Sequence, residues 1–162
     1  MKKSIIAIAM LSVLMLTGCS GDGEAVEANA TVSIADATAA GITNAVMAEI
    51  EIPSAMEKTA ENIGAYYDID TAAVAEMSVF ICGSGAYPDE LAVFKFNDTE
   101  SAKAGAEAVQ SRLDSQIAVY TDYTPDEMYK LNEAVLITEE NWVAFAACAD
   151  NARAKEIIES ML

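Results

Sequence analysis

Apolar residues recur along this chain with two different periods, and the switches between them divide it into elements. Ala39, Ile42, Val46 and Met47 fall three or four apart, the spacing of one helical face, behind Ser33 or Asp36 as caps. Gly41 weakens that helix by up to about 1 kcal/mol, and Pro53 interrupts it. Met56, Ala60, Ile63 and Tyr67 resume the helical spacing and predict a second helix over residues 54–66. Residues 75–82 then read as a strand, 83–88 as a loop of strong breakers, and 91–96 as a second strand. In that second strand Ala92, Phe94 and Phe96 face one way, and Leu91, Val93 and Lys95 the other.

The longest helical period follows. Asn97 and Glu100 have capping-box spacing, with Asp98 and Thr99 as alternative caps, ahead of Ala102, Ala106, Val109, Leu113, Ile117 and Tyr120. Thr124-Pro125-Asp126-Glu127 starts a short helix carrying Met128, Leu131 and Ala134. Residues 135–138 return to strand, 139–141 turn, and 142–148 form the most apolar strand. Asp150 caps a last helix with Ala154, Ile157, Ile158 and Met161 on one face. This order predicts an α+β fold, a small two-layer sandwich in which a mainly antiparallel four-stranded sheet carries helices over one face. Residues 33–162 are expected to form a single domain.

The N-terminus follows another logic. Lys2 and Lys3 precede an apolar run over residues 5–16, too brief to cross a bilayer comfortably and of the form of an export signal. Leu16-Thr17-Gly18-Cys19 resembles the lipobox of bacterial lipoproteins. The likeness implies cleavage before Cys19 and a thioether-linked diacylglycerol on it, with acyl chains such as palmitate. Residues 1–18 are then the signal peptide, and 19–32, rich in Gly, Ser, Asp, Glu, Asn and Ala, a lipidated flexible tether. The expected address is the outer, extracytoplasmic face of the cell membrane. An ordinary secretory signal with an incidental cysteine is the alternative.

Composition narrows the chemistry. Removing 18 of 162 residues leaves 144, with seven Lys and Arg against 26 Asp and Glu and a net charge of −19. Nucleic acid and anionic headgroups repel such a chain, so membrane contact rests on lipid, which anchors stably when it carries two acyl chains. The chain holds no histidine, which removes the commonest general base and the commonest zinc ligand. Cys82 and Cys148 sit in apolar runs and are expected as buried free thiols rather than a bridge.

The 90–95 segment, the stretch from Gln116 to Tyr123-Thr124-Pro125, and the apolar strand before Asp150 together resemble an uncharacterised family of lipid-anchored proteins, a domain of unknown function common in Gram-positive bacteria. The likeness runs over residues 34–162. It puts Glu90, Lys95, Gln116, Tyr123 and Pro125 on recurrent positions of the family and implies no activity.

No catalytic signature stands out. Gly83-Ser84-Gly85 lacks the continuation of a phosphate loop, and Ser84 has no histidine to activate it. Asp68-Ile69-Asp70-Thr71 starts like a calcium loop but lacks its glycine and closing glutamate. No cofactor, metal or nucleic acid is expected. Glu90, Lys95 and Tyr123 are the candidate interaction surface beside the 83–90 loop, with Tyr66, Tyr67, Tyr87, Tyr120 and Tyr129 as further recognition residues or half-buried helix-end residues. The reading is a binding or interaction module for an envelope protein or a small ligand. A carboxylate-dependent wall-polysaccharide hydrolase and an accessory subunit of an envelope complex are the alternatives.

Overall fold

A computed structural model describes residues 37–162. The signal segment, Cys19, the tether and the caps Ser33 and Asp36 lie outside the described residues. Helix α1 (Ala39–Glu49) is capped by Thr38, whose side chain accepts from the Gly41 amide. Five strands follow in the order β1 (Ala55–Lys58), β2 (Val74–Cys82), β3 (Glu90–Phe96), β4 (Val135–Glu139) and β5 (Trp142–Ala147). Helix α2 (Thr99–Tyr123) and the short α3 (Met128–Asn132) join β3 to β4, and α4 (Asn151–Met161) closes the chain. The strands lie side by side as β1-β2-β3-β5-β4, every neighbouring pair antiparallel.

Alternation along the strands sends two apolar sets to opposite faces. Val79, Ile81, Ala92, Phe94, Phe96, Val143 and Phe145 pack with Val109 and Leu113 of α2 and with Leu131. Leu91, Val93, Ala144, Ala146 and Cys148 pack with Ile42 and Val46 of α1 and with Ala154, Ile157 and Ile158 of α4. The α+β class, the antiparallel sheet and the helical cover over a face are as the periodicity predicts. The structure adds a second helical cover on the opposite face and a fifth strand.

That fifth strand replaces a predicted helix. Ser54 takes a left-handed turn at φ 48°, and Ala55–Lys58 then pairs along β2, Met56 opposite Ile81 and Lys58 opposite Val79. The Asn62 side chain accepts from the Thr59 amide, and only a single 3-10 turn, Ile63–Ala65, forms beyond it. An unpaired edge of β2 outweighed helical spacing, a tertiary override of local propensity. Elsewhere the caps are refined. Asp98 caps α2 by accepting from Ser101 N at 2.7 Å, while Asn97 turns away to the Ala72 carbonyl. Thr124 makes no capping bond, and Pro125–Glu127 is a 3-10 turn ahead of α3. Asp150 caps α4 as expected, accepting from Arg153 N at 2.9 Å.

Candidate functional site

Polar chemistry collects where β3 begins. Glu90 pairs with Ile81 on β2 and Ala147 on β5, and its side chain, on the α2 face, is fully buried. A carboxylate there must be supplied with donors. Tyr67 donates its hydroxyl to Oε1. Arg112 donates from Nη2 at 2.8 Å and Nε at 3.2 Å, both to Oε2, and Gln116 Nε2 adds a third donor at 2.9 Å. Arg112 and Gln116 stand one turn apart on α2, next to the stripe of Val109 and Leu113. Removing one partner from a buried pair of this kind costs about 3–5 kcal/mol, because the other charge stays buried. The network therefore fixes how α2 and the Tyr67 segment sit on β3.

Tyr67 and Arg112 are both shifted by this packing. Burial, then the adjacent Glu90 charge and hydrogen bond, push the Tyr67 hydroxyl well above its ordinary range, so it remains a donor. Burial alone would lower the Arg112 guanidinium, but Glu90 overrides it and the pKa rises.

Asp89, one residue earlier, has other partners. Its Oδ2 lies 2.7 Å from Lys130 Nζ, which also lies 2.7 Å from Glu127 Oε2. Burial raises the Asp89 carboxyl above its ordinary value while Lys130 pulls the other way. Burial would lower the Lys130 ammonium, yet Asp89 and Glu127 hold it above its ordinary value. Asn151 ties in the rest of this corner, donating to the Lys130 carbonyl at 2.8 Å and accepting from the Cys148 amide at 2.9 Å.

Cys82 and Cys148 are both buried and free. The register gives the reason. Ile81, Glu90 and Ala147 are opposite one another on β2, β3 and β5, so each cysteine follows one residue later with the β3 chain between them. Two strand spacings make about 10 Å, beyond the ~7 Å Cα separation a disulfide tolerates.

The residues singled out in the sequence part company here. Glu90 is interior. Lys95 lies on the other face, 3.4 Å from Glu76 and with its Nζ 4.8 Å from the centre of the Trp142 ring. Tyr123 is 67% exposed at the end of α2. The three do not form one surface. Tyr120 donates to the carbonyls of Tyr87 at 2.9 Å and Gly85 at 3.2 Å, which seats the last turns of α2 against the 83–89 loop. Asp89, Arg112 and Lys130 escaped the sequence reading. The available signal was an arginine and a glutamine beside an apolar helical stripe, and two acids at the head of an apolar strand, since each needs a buried partner.

Exposed large apolar side chains among the described residues are Met56, Tyr87, Val119, Tyr123 and Tyr129. All five border the 83–89 loop or the helix ends that hold it. Met56 packs where a side chain at Gly83 would lie, its Sδ 2.5 Å from that position. Val119 and Tyr123 flank Tyr120, and Lys130 Nζ sits 5.4 Å from the centre of the Tyr87 ring and 5.8 Å from that of Tyr129.

Among the described residues no cluster of three or more Cys, Asp or Glu side chains could hold a metal ion, and no helix is long and apolar enough to cross a membrane. Residues 48–148 match a domain of unknown function, DUF4358. The match covers more than half of the chain, which belongs to this family. No curated protein and no solved structure matches it.

Proposed function

We propose that this member of the DUF4358 family is a lipid-anchored extracytoplasmic interaction module whose contact face is the aromatic end of the sheet around the 83–89 loop. The carrying observation is the gathering of Met56, Tyr87, Val119, Tyr123 and Tyr129 at that one end. Tyrosine suits a contact face because it buries a large ring and keeps a polar tip at little entropic cost. The buried networks of Glu90 and Asp89 lie directly behind it and hold loop, α2 and α3 in fixed register. Anchoring is supported by Lys2, Lys3, the apolar run and Leu16-Thr17-Gly18-Cys19. The described chain enters the fold at the far end of the sheet. Ala39 N bonds Glu76, and Ala37 lies beside Glu139, Glu140 and Trp142.

Within this reading the partner is an envelope protein, and the domain serves as its accessory subunit. The hydrolase alternative has little support in the Asp89–Glu90 pair. Each carboxylate is buried against its own cation, and the two are committed to different partners. The test is a photo-crosslinking residue placed at Tyr87, Tyr123 or, as control, Glu139 of the full chain in its own membrane. Adducts to one defined protein from 87 and 123 and none from 139 are expected. Equal adducts from all three positions, or adducts from 139 alone, would sink the proposal.

A further inference from the structure

The aromatic end of the sheet is also an end without a free cation. Residues 83–89 and 119–133, which form most of it, carry five acids, Asp89, Asp122, Asp126, Glu127 and Glu133, and a single cation, Lys130. Lys130 is 5% exposed and already lies between Asp89 and Glu127. Asp122, Asp126 and Glu133 are exposed, and their carboxylates have no ion-pair or hydrogen-bond partner among the described residues. Helix α4 treats its surroundings differently: Arg153 sits between Glu49 and Glu156, and Lys155 beside Glu159.

Spacing sets these carboxylates among the exposed rings. Val119, Asp122 and Tyr123 are three and four residues apart on α2 and share one face. Asp126, Tyr129 and Glu133 follow the same spacing along the 3-10 turn and α3. Asp122 also stands in the last turn of α2, which holds no basic residue. A helix C-terminus favours a cation and disfavours an acid, so α2 ends on two negative sources with no cation in that turn to offset them. The rings nearby already hold one ammonium, that of Lys130 against Tyr87 and Tyr129. Both tyrosines still expose more than a third of their surface.

We propose that the partner at this face is a basic segment of a protein, whose Arg or Lys side chains lie on Tyr87, Tyr123 and Tyr129 and pair with Asp122, Asp126 and Glu133. The inference rests on the interaction reading above and supplies the partner's chemistry. Charge selects the occupant. A second copy would set the same acids against themselves, and anionic headgroups would meet them with like charge, which costs affinity. A basic segment gains ion pairing, contact of its cations with the ring faces, and faster encounter.

The test follows backbone amide resonances of the full chain in zwitterionic micelles during titration with oligo-arginine, with oligo-glutamate at equal ionic strength as the control. Saturable, salt-sensitive shifts at Tyr87, Asp122, Tyr123 and Tyr129 are expected with oligo-arginine alone. Glu139 and Glu140, exposed acids at the far end of the sheet, should shift little. Asp122→Asn combined with Asp126→Asn should weaken binding by about tenfold and keep the unfolding midpoint, since both side chains are exposed. Neutralising Glu139 and Glu140 to Gln should leave the titration unchanged. Equal shifts at both ends of the sheet, or a wild-type curve in the Asp122→Asn, Asp126→Asn variant, would overturn the inference. If crosslinks from positions 87 and 123 still reach one defined protein in that case, the contact face stands and only its basic partner is lost. If no crosslinks form at all, the face itself fails and this inference fails with it.

Discussion

Cys148 shows most directly how this fold changes the chemistry of a residue. Burial pushes its thiol up from 9.0 to about 11, with the charges of Asp89 and Asp150 adding to the rise. The folded chain therefore keeps a proton that the unfolded chain releases. Stability from this source is complete below the unfolded value and is lost as pH climbs from about 9 to about 11, by at most about 2–3 kcal/mol. Lys130, also raised, loses its contribution in the same direction at still higher pH. Denaturant midpoints at about pH 8 and about pH 10.5 should fall more steeply in the wild type than in Cys148→Ala. The cavity left by the shorter side chain shifts both midpoints of the variant equally, so the slope is the readout. Parallel slopes would place this thiol in contact with water. Both cysteines were legible as buried apolar residues from their neighbours alone. That they stay unbridged was also expected from the sequence, and the register supplies the physical reason by placing β3 between them.

At the scale of elements, local pattern located what is locally determined. The helical stripe from Ala102 to Leu113 and the alternation of Phe94 and Phe96 survive unchanged in the structure. The segment after Pro53 did not, because its four apolar positions could serve a helix or an edge strand and only β2 decides between them. Gly105 carries a further message, standing within the stripe of α2 where alanine would be the better helix former. A β-carbon there would lie 2.1 Å from Phe96 Cζ and 2.5 Å from Cε2. The ring is 2% exposed and packed beside Phe94, so it must shift within the core to admit the new carbon. Gly105→Ala should gain up to about 1 kcal/mol of helix propensity and lose about 1–3 kcal/mol to overpacking, for net destabilisation. Chemical denaturation measures the balance. A variant more stable than the wild type would mean that α2 rides higher over β3 than described.

For the whole molecule, the fold class and the proposed address rest on different kinds of sequence information. Periodicity over 75–162 carries the sheet and its helices, since each face repeats its own message several times. The candidate site was legible only in part. Glu90 is held by residues 22 to 26 positions away, and Lys130 reaches back 41 positions to Asp89. No local window contains both ends of such a contact. The signal for the proposed address is compact by contrast, with Lys2, Lys3, the apolar run and Leu16-Thr17-Gly18-Cys19 within the first nineteen residues. It also bears on how the acidic body meets a membrane. Under the proposed anchoring, cleavage before Cys19 leaves a net charge of −19 that repels anionic headgroups, so attachment would depend on acyl chains rather than on the protein surface. Cys19→Ala should therefore eliminate diacylglyceryl labelling and move the protein from the detergent phase into the aqueous phase. On the same proposal, raising the salt concentration should not release the wild type, because an acyl anchor owes nothing to ion pairing. Wild-type protein that washes off in high salt, or a Cys19→Ala variant that still partitions with detergent, would show that the body itself holds the membrane.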